Sequence, residues 1–278
     1  MDKRDKGRGS APRHVRPEGL EDRRGFQEQL DEGVILGRNA ILEAIEAGRA
    51  IDKVYIAKGE VDAGLRHLAS LAREASAVVV ETDRRKLDHM SRGGAHQGVV
   101  AIAAVKAYCE LEDILQIARD RGEDPLIVIC DELSDSHNLG AIIRTAEATG
   151  AHGIVIPKRR SAGITPIVQK TSAGAVNHMP VARVPNLTAA IKTLQKEGLW
   201  IYGTSAEGEQ SLWETNLTGP LAIVIGSEGD GMGRLVTEHC DHLVKIPMVG
   251  RIGSLNASVS AALLLYEAVR QKTASKQA

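Results

Sequence analysis

The chain is poor in aromatic residues, with one Phe, two Trp and four Tyr in 278 residues. Recognition of unpaired bases by stacking on aromatic platforms is therefore disfavoured, because each stacked base needs a ring. Cysteine is as scarce. Cys109, Cys130 and Cys240 stand apart with no C-x-x-C spacing, which argues against a disulfide framework and a structural zinc site and for a cytoplasmic enzyme. The nine histidines show no metal-ligand spacing, so no metal is expected. The longest apolar run is the seven residues Val99–Val105, against the ~18 that a membrane helix needs. The opening MDKRDKGRGS lacks the apolar centre of a secretory signal. A net charge of −1 announces no nucleic-acid partner by itself.

What is present is ordinary in amount and uneven in placement. Hydrophobic residues make up 43% and charged residues 26%, a globular composition with room for one large domain or two ordinary ones. Residues 1–25 hold eight Lys/Arg and five acids, a net +3, while the remainder carries −4. Residues 1–30 show no sustained apolar periodicity and read as a flexible basic arm, able to gather phosphates or to remain a solvated tail.

A compact α/β segment is expected from Val34 to Val105, within a domain spanning 31–107. It reads as a helix near Arg38–Ala47 with Ile41, Leu42 and Ile45 on one face, a strand at Val54–Ile56, a helix around Ala63–Ala75, a strand at Val78–Val80 and an apolar strand from Gly98 to Val105. A linker is expected over 108–124, with a short amphipathic helix bearing Leu111, Ile114, Leu115 and Ala118. From 125 to 275 short apolar strands alternate with helices: Leu126–Cys130, Gly153–Ile156, Val181–Val184, Leu199–Tyr202, Leu221–Ile225 and His242–Ile246. That pattern predicts a mostly parallel sheet covered on both faces. The last helix, Leu255 to about Lys272, is apolar nearly all round and is expected to be deeply buried.

Ligands of open α/β sheets bind beyond the carboxyl ends of the strands, and three strand exits are rich in Gly, Asn, Ser and Arg. After Leu126–Cys130 comes Asp131 to Gly140, then a helix Ala141–Thr149 bearing Arg144; Ser136 or Asn138 can cap it. Arg144 could simply pair with Glu147 on a solvated face. After Leu221–Ile225 comes Gly226-Ser227-Glu228-Gly229-Asp230-Gly231-Met232-Gly233. It is neither a Walker A loop nor a dinucleotide fingerprint in its usual place, and Glu228 suits a hydroxyl, an amine or a cation better than a phosphate. After His242–Ile246 comes Pro247 to Ser258, where Ser254, Asn256 and Ser258 could be a helix cap and its neighbours. An Asn opening so apolar a helix still needs a partner.

Together these segments resemble the motifs of the SpoU (TrmH-like) ribose 2′-O-methyltransferases of the SPOUT class. The residues that carry the resemblance are Asn138-Leu139-Gly140-Ala141-Ile142-Ile143-Arg144-Thr145-Ala146-Glu147, Gly226-Ser227-Glu228-Gly229, and Ile246-Pro247-Met248 with Ser254-Leu255-Asn256-Ala257-Ser258. Ile156-Pro157-Lys158, Ser172-Ala173-Gly174-Ala175, Leu36-Gly37-Arg38-Asn39-Ala40 and His96-Gln97-Gly98-Val99 extend it over about 34–272.

The resemblance implies a C-terminal domain with a trefoil knot behind an L30e-like RNA-binding domain, a homodimer, and S-adenosylmethionine as cofactor. It is greatest to enzymes that methylate a guanosine ribose in 23S rRNA; a tRNA substrate and a non-catalytic RNA-binding paralogue are the alternatives. By motif, Arg144 is the main catalytic residue, with Asn138, Glu228, Ser254 and Asn256 completing the site, and Gly226, Ile246 and Leu255 contact the cofactor. Asn177, Asp230 and Thr149 depart from the pattern, where an acid, a Lys and an aromatic or small apolar residue are usual.

Overall fold

The computed structural model describes residues 33–59 and 62–275; the basic arm expected over 1–30 lies outside them. The front domain runs β1 (Val34–Leu36), α1 (Arg38–Glu46), β2 (Ile51–Ala57), α2 (Ala63–Glu74), β3 (Val78–Thr82), α3 (Arg84–Ser91) and β4 (Val99–Ala103). Its sheet has the order β1-β4-β2-β3, with only β2 and β3 parallel. Helix α2 starts where the Asp62 carboxylate accepts the Leu65 N–H at 2.9 Å, a side-chain cap. It buries Leu65, Leu68, Ala69 and Ala72, one face of a 3.6-residue period. Helix α3 was not expected: its sequence RRKLDHMS buries only Leu87 and Ser91, too little apolar signal for periodicity to reveal.

The segment read as a linker is mostly α4 (Leu111–Arg121). Glu110 and Asp113 form a reciprocal capping box, and Gly122 closes the helix in the left-handed region at φ 63°. Its buried Leu111, Ile114 and Leu115 pack against β5 (Leu126–Cys130), β6 (Gly153–Pro157) and β7 (Val181–Val184). A Cβ at Gly153 would fall 2.5 Å from Ile114 Cδ1. The connection is thus part of the second domain's packing.

The second sheet contains seven strands, completed by β8 (Trp200–Thr204), β9 (Gln210–Ser211), β10 (Leu221–Ile225) and β11 (His242–Lys245). The order is β7-β6-β5-β10-β8-β11-β9, and every neighbouring pair is parallel. Leu126, Val128 and Cys130 of β5 face one core cluster while Ile127 and Ile129 face the other, so the strand reads as an unbroken apolar run. The helices are α5 (Ser136–Ala148), α6 (Pro166–Thr171), α7 (Leu187–Lys196), α8 (Arg234–Thr237) and α9 (Ala257–Ser275).

Two helix readings are corrected. Helix α5 begins at Ser136, well before Ala141, because the Asp135 carboxylate caps it by accepting the His137 N–H at 2.8 Å. Neither Ser136 nor Asn138 is the cap, which leaves the Asn138 side chain for other contacts. Helix α9 is buried on one face only. Ala257, Ala261, Leu264, Leu265 and Ala268 enter the core, while Val259 and Tyr266 are 47% and 55% exposed.

Candidate active site

Strand order reverses between β5 and β10: β6 and β7 lie on one side, β8 and β11 on the other. A crevice opens at the carboxyl ends of strands flanking such a point. Here the two strand exits are tied together. The Asp131 N–H donates to the Ile225 carbonyl at 2.8 Å, and the Gly233 N–H donates to Asp131 Oδ2 at 2.7 Å. Burial pushes the Asp131 carboxyl above its ordinary value; the Gly233 bond opposes that shift. The loop after β10 closes on itself through Ser227 N–H to Gly231 O at 2.9 Å and Gly231 N–H to Ser227 O at 3.1 Å. A Cβ at Gly226 would sit 2.2 Å from the Gly231 carbonyl carbon, so this closure admits only glycine.

Three side chains from three distant segments meet over the crevice. Asn138, 8% exposed on the first turn of α5, donates from Nδ2 to Glu228 Oε1 at 2.8 Å. Asn256 donates from Nδ2 to Asn138 Oδ1 at 2.9 Å and also to Glu228 Oε1. With its own Oδ1, Asn256 accepts from the Ser258 N–H at 2.9 Å, the Ser258 hydroxyl at 2.6 Å and the Val259 N–H at 3.3 Å. It therefore caps α9 and completes the cluster with one side chain. Glu228 Oε2 has no hydrogen-bond partner among the described residues, leaving a fixed, solvent-facing carboxylate oxygen.

The remaining expected site residues fall into two groups. Gly226 is buried at the end of β10, and Ile246 and Leu255 bracket the loop after β11, half-buried. Arg144 lies six residues beyond Asn138 on α5, ~9 Å along the axis. It is exposed, has no hydrogen-bond or ion-pair partner among the described residues, and makes no pair with Glu147. Ser254 is exposed and takes no part in the Asn138–Glu228–Asn256 cluster. In the front domain the two motif pieces do meet. Gln97 Oε1 accepts the Arg38 N–H at 3.1 Å, Gln97 O accepts Arg38 Nε–H at 3.2 Å, and Arg38 Nη1 pairs with Asp62 at 2.6 Å.

The SpoU rRNA methylase family matches residues 125–266, about half of the chain. The chain belongs to the SpoU rRNA methylase family. A second family, described as RNA 2′-O ribose methyltransferase substrate binding, matches residues 34–109. Among curated proteins, the putative TrmH family tRNA/rRNA methyltransferase YacO of Bacillus subtilis is 46% identical over 238 residues, 86% of this chain and 95% of that one. Among solved structures, the SpoU methyltransferase AviRb from Streptomyces viridochromogenes, in complex with AdoMet, is 27% identical. It aligns over 89% of this chain and 96% of its own, with a TM-score of 0.54. The A. aeolicus TrmH/SpoU tRNA modifying enzyme is 29% identical over 60% of this chain and 86% of its own, with a TM-score of 0.51.

Within the SpoU family pattern, the departures at Asn177 and Asp230 are exposed, and Thr149 turns its hydroxyl to the Thr145 carbonyl at 2.8 Å. None joins the Asn138–Glu228–Asn256 cluster. Sequence reasoning missed Asp131 as the residue that ties the two strand exits; a lone carboxylate after a strand carries no signal of that role. It also missed the exposed face of α9, where Val259 and Tyr266 lie, because apolar residues nearly all round a helix do not say which of them face the core. Among the described residues, no group of three or more His, Cys, Asp or Glu is placed to hold a metal ion. No described helix is long and apolar enough to cross a membrane.

Proposed function

We propose that this chain is an S-adenosylmethionine-dependent enzyme that methylates the ribose 2′-hydroxyl of a guanosine in 23S rRNA, acting in the cytoplasm as a homodimer. The observation that carries the reading is the Asn138–Glu228–Asn256 cluster over the crevice between β5 and β10. The residues present fit the cofactor. Among the described residues, 247–255 make no hydrogen bond, so a run of peptide donors and acceptors stands free. The apolar side chains of Met248 and Ile252 are exposed beside them, and Val249 is wholly so. Free peptide groups next to apolar surface suit a purine, and Glu228 suits a hydroxyl or a cation. Gly226, Ile246 and Leu255 would hold the cofactor, which when bound supplies a methyl group activated on a sulfonium.

The chain's own contribution is orientation and charge. Two amide donors fix Glu228, so Oε2 can direct a substrate hydroxyl without a search through rotamers. The 2′-oxygen exchanges its proton for the methyl group, and negative charge develops on it as the proton leaves for water. The guanidinium of Arg144, with no ion-pair partner among the described residues, is suited to stabilise that charge or to hold an adjoining RNA phosphate. Ser254 completes the loop side of the site.

The homodimer reading rests on the exposed face of α9. A groove of about 590 Å³ runs between α5 and α9, lined by Ala141, Thr145, Trp213, Val259, Leu263 and Tyr266. Trp213 is 57% exposed. Ser258, which bonds the cap residue Asn256, also lines the groove. A second copy is the occupant this face fits, since the groove is continuous with the cluster and would set each site beside the subunit boundary. The return of the chain after β11, so that Asn256 bonds Asn138 on α5 and α9 packs on the same helix, supports the trefoil-knotted path implied by the resemblance. The compact four-stranded front domain with its substrate-binding match supports the L30e-like reading.

The front domain also favours rRNA, because the alignment with the A. aeolicus tRNA modifying enzyme covers only 60% of this chain. The test is transfer of labelled methyl from S-adenosylmethionine to unmodified rRNA and, separately, tRNA, followed by digestion to nucleosides. Label in 2′-O-methylguanosine from rRNA alone supports the proposal. Label in tRNA alone overturns the substrate, and absence of cofactor binding favours the non-catalytic paralogue.

A further inference from the structure

The two domains are joined by a buried charged cluster that the methyl-transfer chemistry does not use. In β2 the pairing with β4 shifts register between Ile51 and Lys53, so Asp52 is the extra residue of a β-bulge. A bulge re-aims its side chain, and Asp52 points out of the front domain into the second one. Its Oδ1 accepts from Arg183 Nη1 of β7 at 2.6 Å and from the Tyr108 hydroxyl at 2.7 Å. The side chains of Arg183 and Asp52 are 4% and 2% exposed. The Arg183 guanidinium lies 4.0 Å from the centre of the Tyr108 ring, and Arg183 also donates to the Ser76 and Asp52 carbonyls. The Tyr108 hydroxyl in turn accepts the Ile164 N–H at 3.0 Å. Gly163 permits the approach, since a Cβ there would fall 2.1 Å from Asp52 Oδ1.

Around this centre Lys53 donates to the Ser161 carbonyl at 3.1 Å and Val105 N–H to the Ile164 carbonyl at 2.9 Å. The front domain thus grips residues 161–164, the loop that leads into α6. Helix α6 packs on α5, where a Cβ at Gly140 would lie 1.8 Å from Thr171 Oγ1. Helix α5 carries Asn138 and Arg144. The front domain is therefore referenced, through α6, to the helix that bears the site.

A buried ion pair is weak evidence for stability, because apolar residues of similar volume often do as well. Arg183 Nε is moreover buried without a partner. What charge, ring and bulge supply together is a single permitted orientation. Resting on the methyl-transfer reading above, we propose that Asp52, Tyr108 and Arg183 form a domain lock that holds the RNA-binding domain in one orientation over the crevice, which makes them positioning residues for the RNA.

The test uses the full chain with spin labels on cysteines introduced at Ser70 in α2 and Lys192 in α7, both exposed. Burial pushes the native thiols up, Cys109 to about 11 and Cys130 and Cys240 to about 12, which slows their labelling at neutral pH, and the chain without the introduced cysteines is the control for label on Cys109, Cys130 and Cys240. The comparison is with Asp52→Leu/Arg183→Met, which removes both buried charges together and so avoids leaving one unpaired; Asp52→Asn gives a graded loss. The lock requires one narrow interdomain distance in the parent and a broadened one in the double variant. It also requires KM for RNA to rise at least ~tenfold, with kcat within ~threefold and cofactor affinity unchanged. Equal distance distributions overturn the lock, and so does an unchanged KM. If the parent transfers no methyl group, the methyl-transfer reading fails by itself, and the distances together with RNA affinity still decide the lock.

Discussion

Removing Asn138 tests whether the cluster over the crevice is a coupled structural unit. Asn138→Ala deletes one bond to a carboxylate, at 2.8 Å, and one accepted from an amide, at 2.9 Å. A bond to a charged acceptor is worth ~1.5–3 kcal/mol and a neutral one ~0.5–1.5. Glu228 is exposed, which places its bond at the lower end. The single substitution should therefore cost ~2–3 kcal/mol. Asn256 keeps its bonds to Glu228 and to Ser258, so α9 stays capped. Combined with Glu228→Ala in a double-mutant cycle, the coupling should be ~1–2 kcal/mol. The assay is urea unfolding of the parent, both single variants and the double variant, with slopes compared to confirm that the surface exposed on unfolding is unchanged. Additivity within ~0.3 kcal/mol would mean that the two side chains do not feel each other, and the construction of the site from this cluster would be wrong.

Arg144 is exposed and unpartnered among the described residues, so Arg144→Lys should leave the melting temperature unchanged while turnover drops ~10²-fold; near-normal turnover would remove the role given to the guanidinium. Gly226→Ala places a Cβ 2.2 Å from the Gly231 carbonyl carbon and should cost ~1–3 kcal/mol and weaken cofactor binding, read by thermal unfolding and titration calorimetry. Burial, opposed by Glu123, holds the His152 imidazole below its ordinary value, while its Nδ1 accepts the Leu126 N–H at 3.0 Å. Its stabilising contribution is then complete above the unfolded value of ~6.5 and is lost as pH falls through the lower folded value. Urea midpoints should therefore fall on acidification below ~6.5, and less steeply for His152→Gln; equal slopes would count against this. Tyr266→Glu should turn a dimer into a monomer in sedimentation experiments, and an unchanged sedimentation coefficient would remove this face as the subunit contact.

The parallel sheet was legible because β5 and β10 are apolar on both faces, a pattern that a one-sided strand does not give. The short strand–helix alternation also gave the boundaries of most elements to within a few residues. What it could not give was strand order. The meeting of Asn138 and Glu228 follows from β5 and β10 being neighbours although 90 residues separate the two side chains, and no local period encodes that pairing. Asn138 itself reads equally well as a cap until Asp135 is seen to hold that position. Helix α9 was misjudged for the same reason: apolar residues all round can mean burial in one core or a face left for a second surface, and only packing decides. Asp52 gave no signal either, since an acid at the start of a strand looks solvated until the bulge turns it inward.

The most direct test of the central reading is where on the RNA the methyl group goes. After transfer from labelled S-adenosylmethionine, the RNA is hydrolysed in alkali, which cleaves next to every free 2′-hydroxyl. Ribose methylation blocks that cleavage. The expected result is label in an alkali-stable dinucleotide, abolished by Arg144→Ala. Label recovered in mononucleotides would place the methyl on a base and contradict the account.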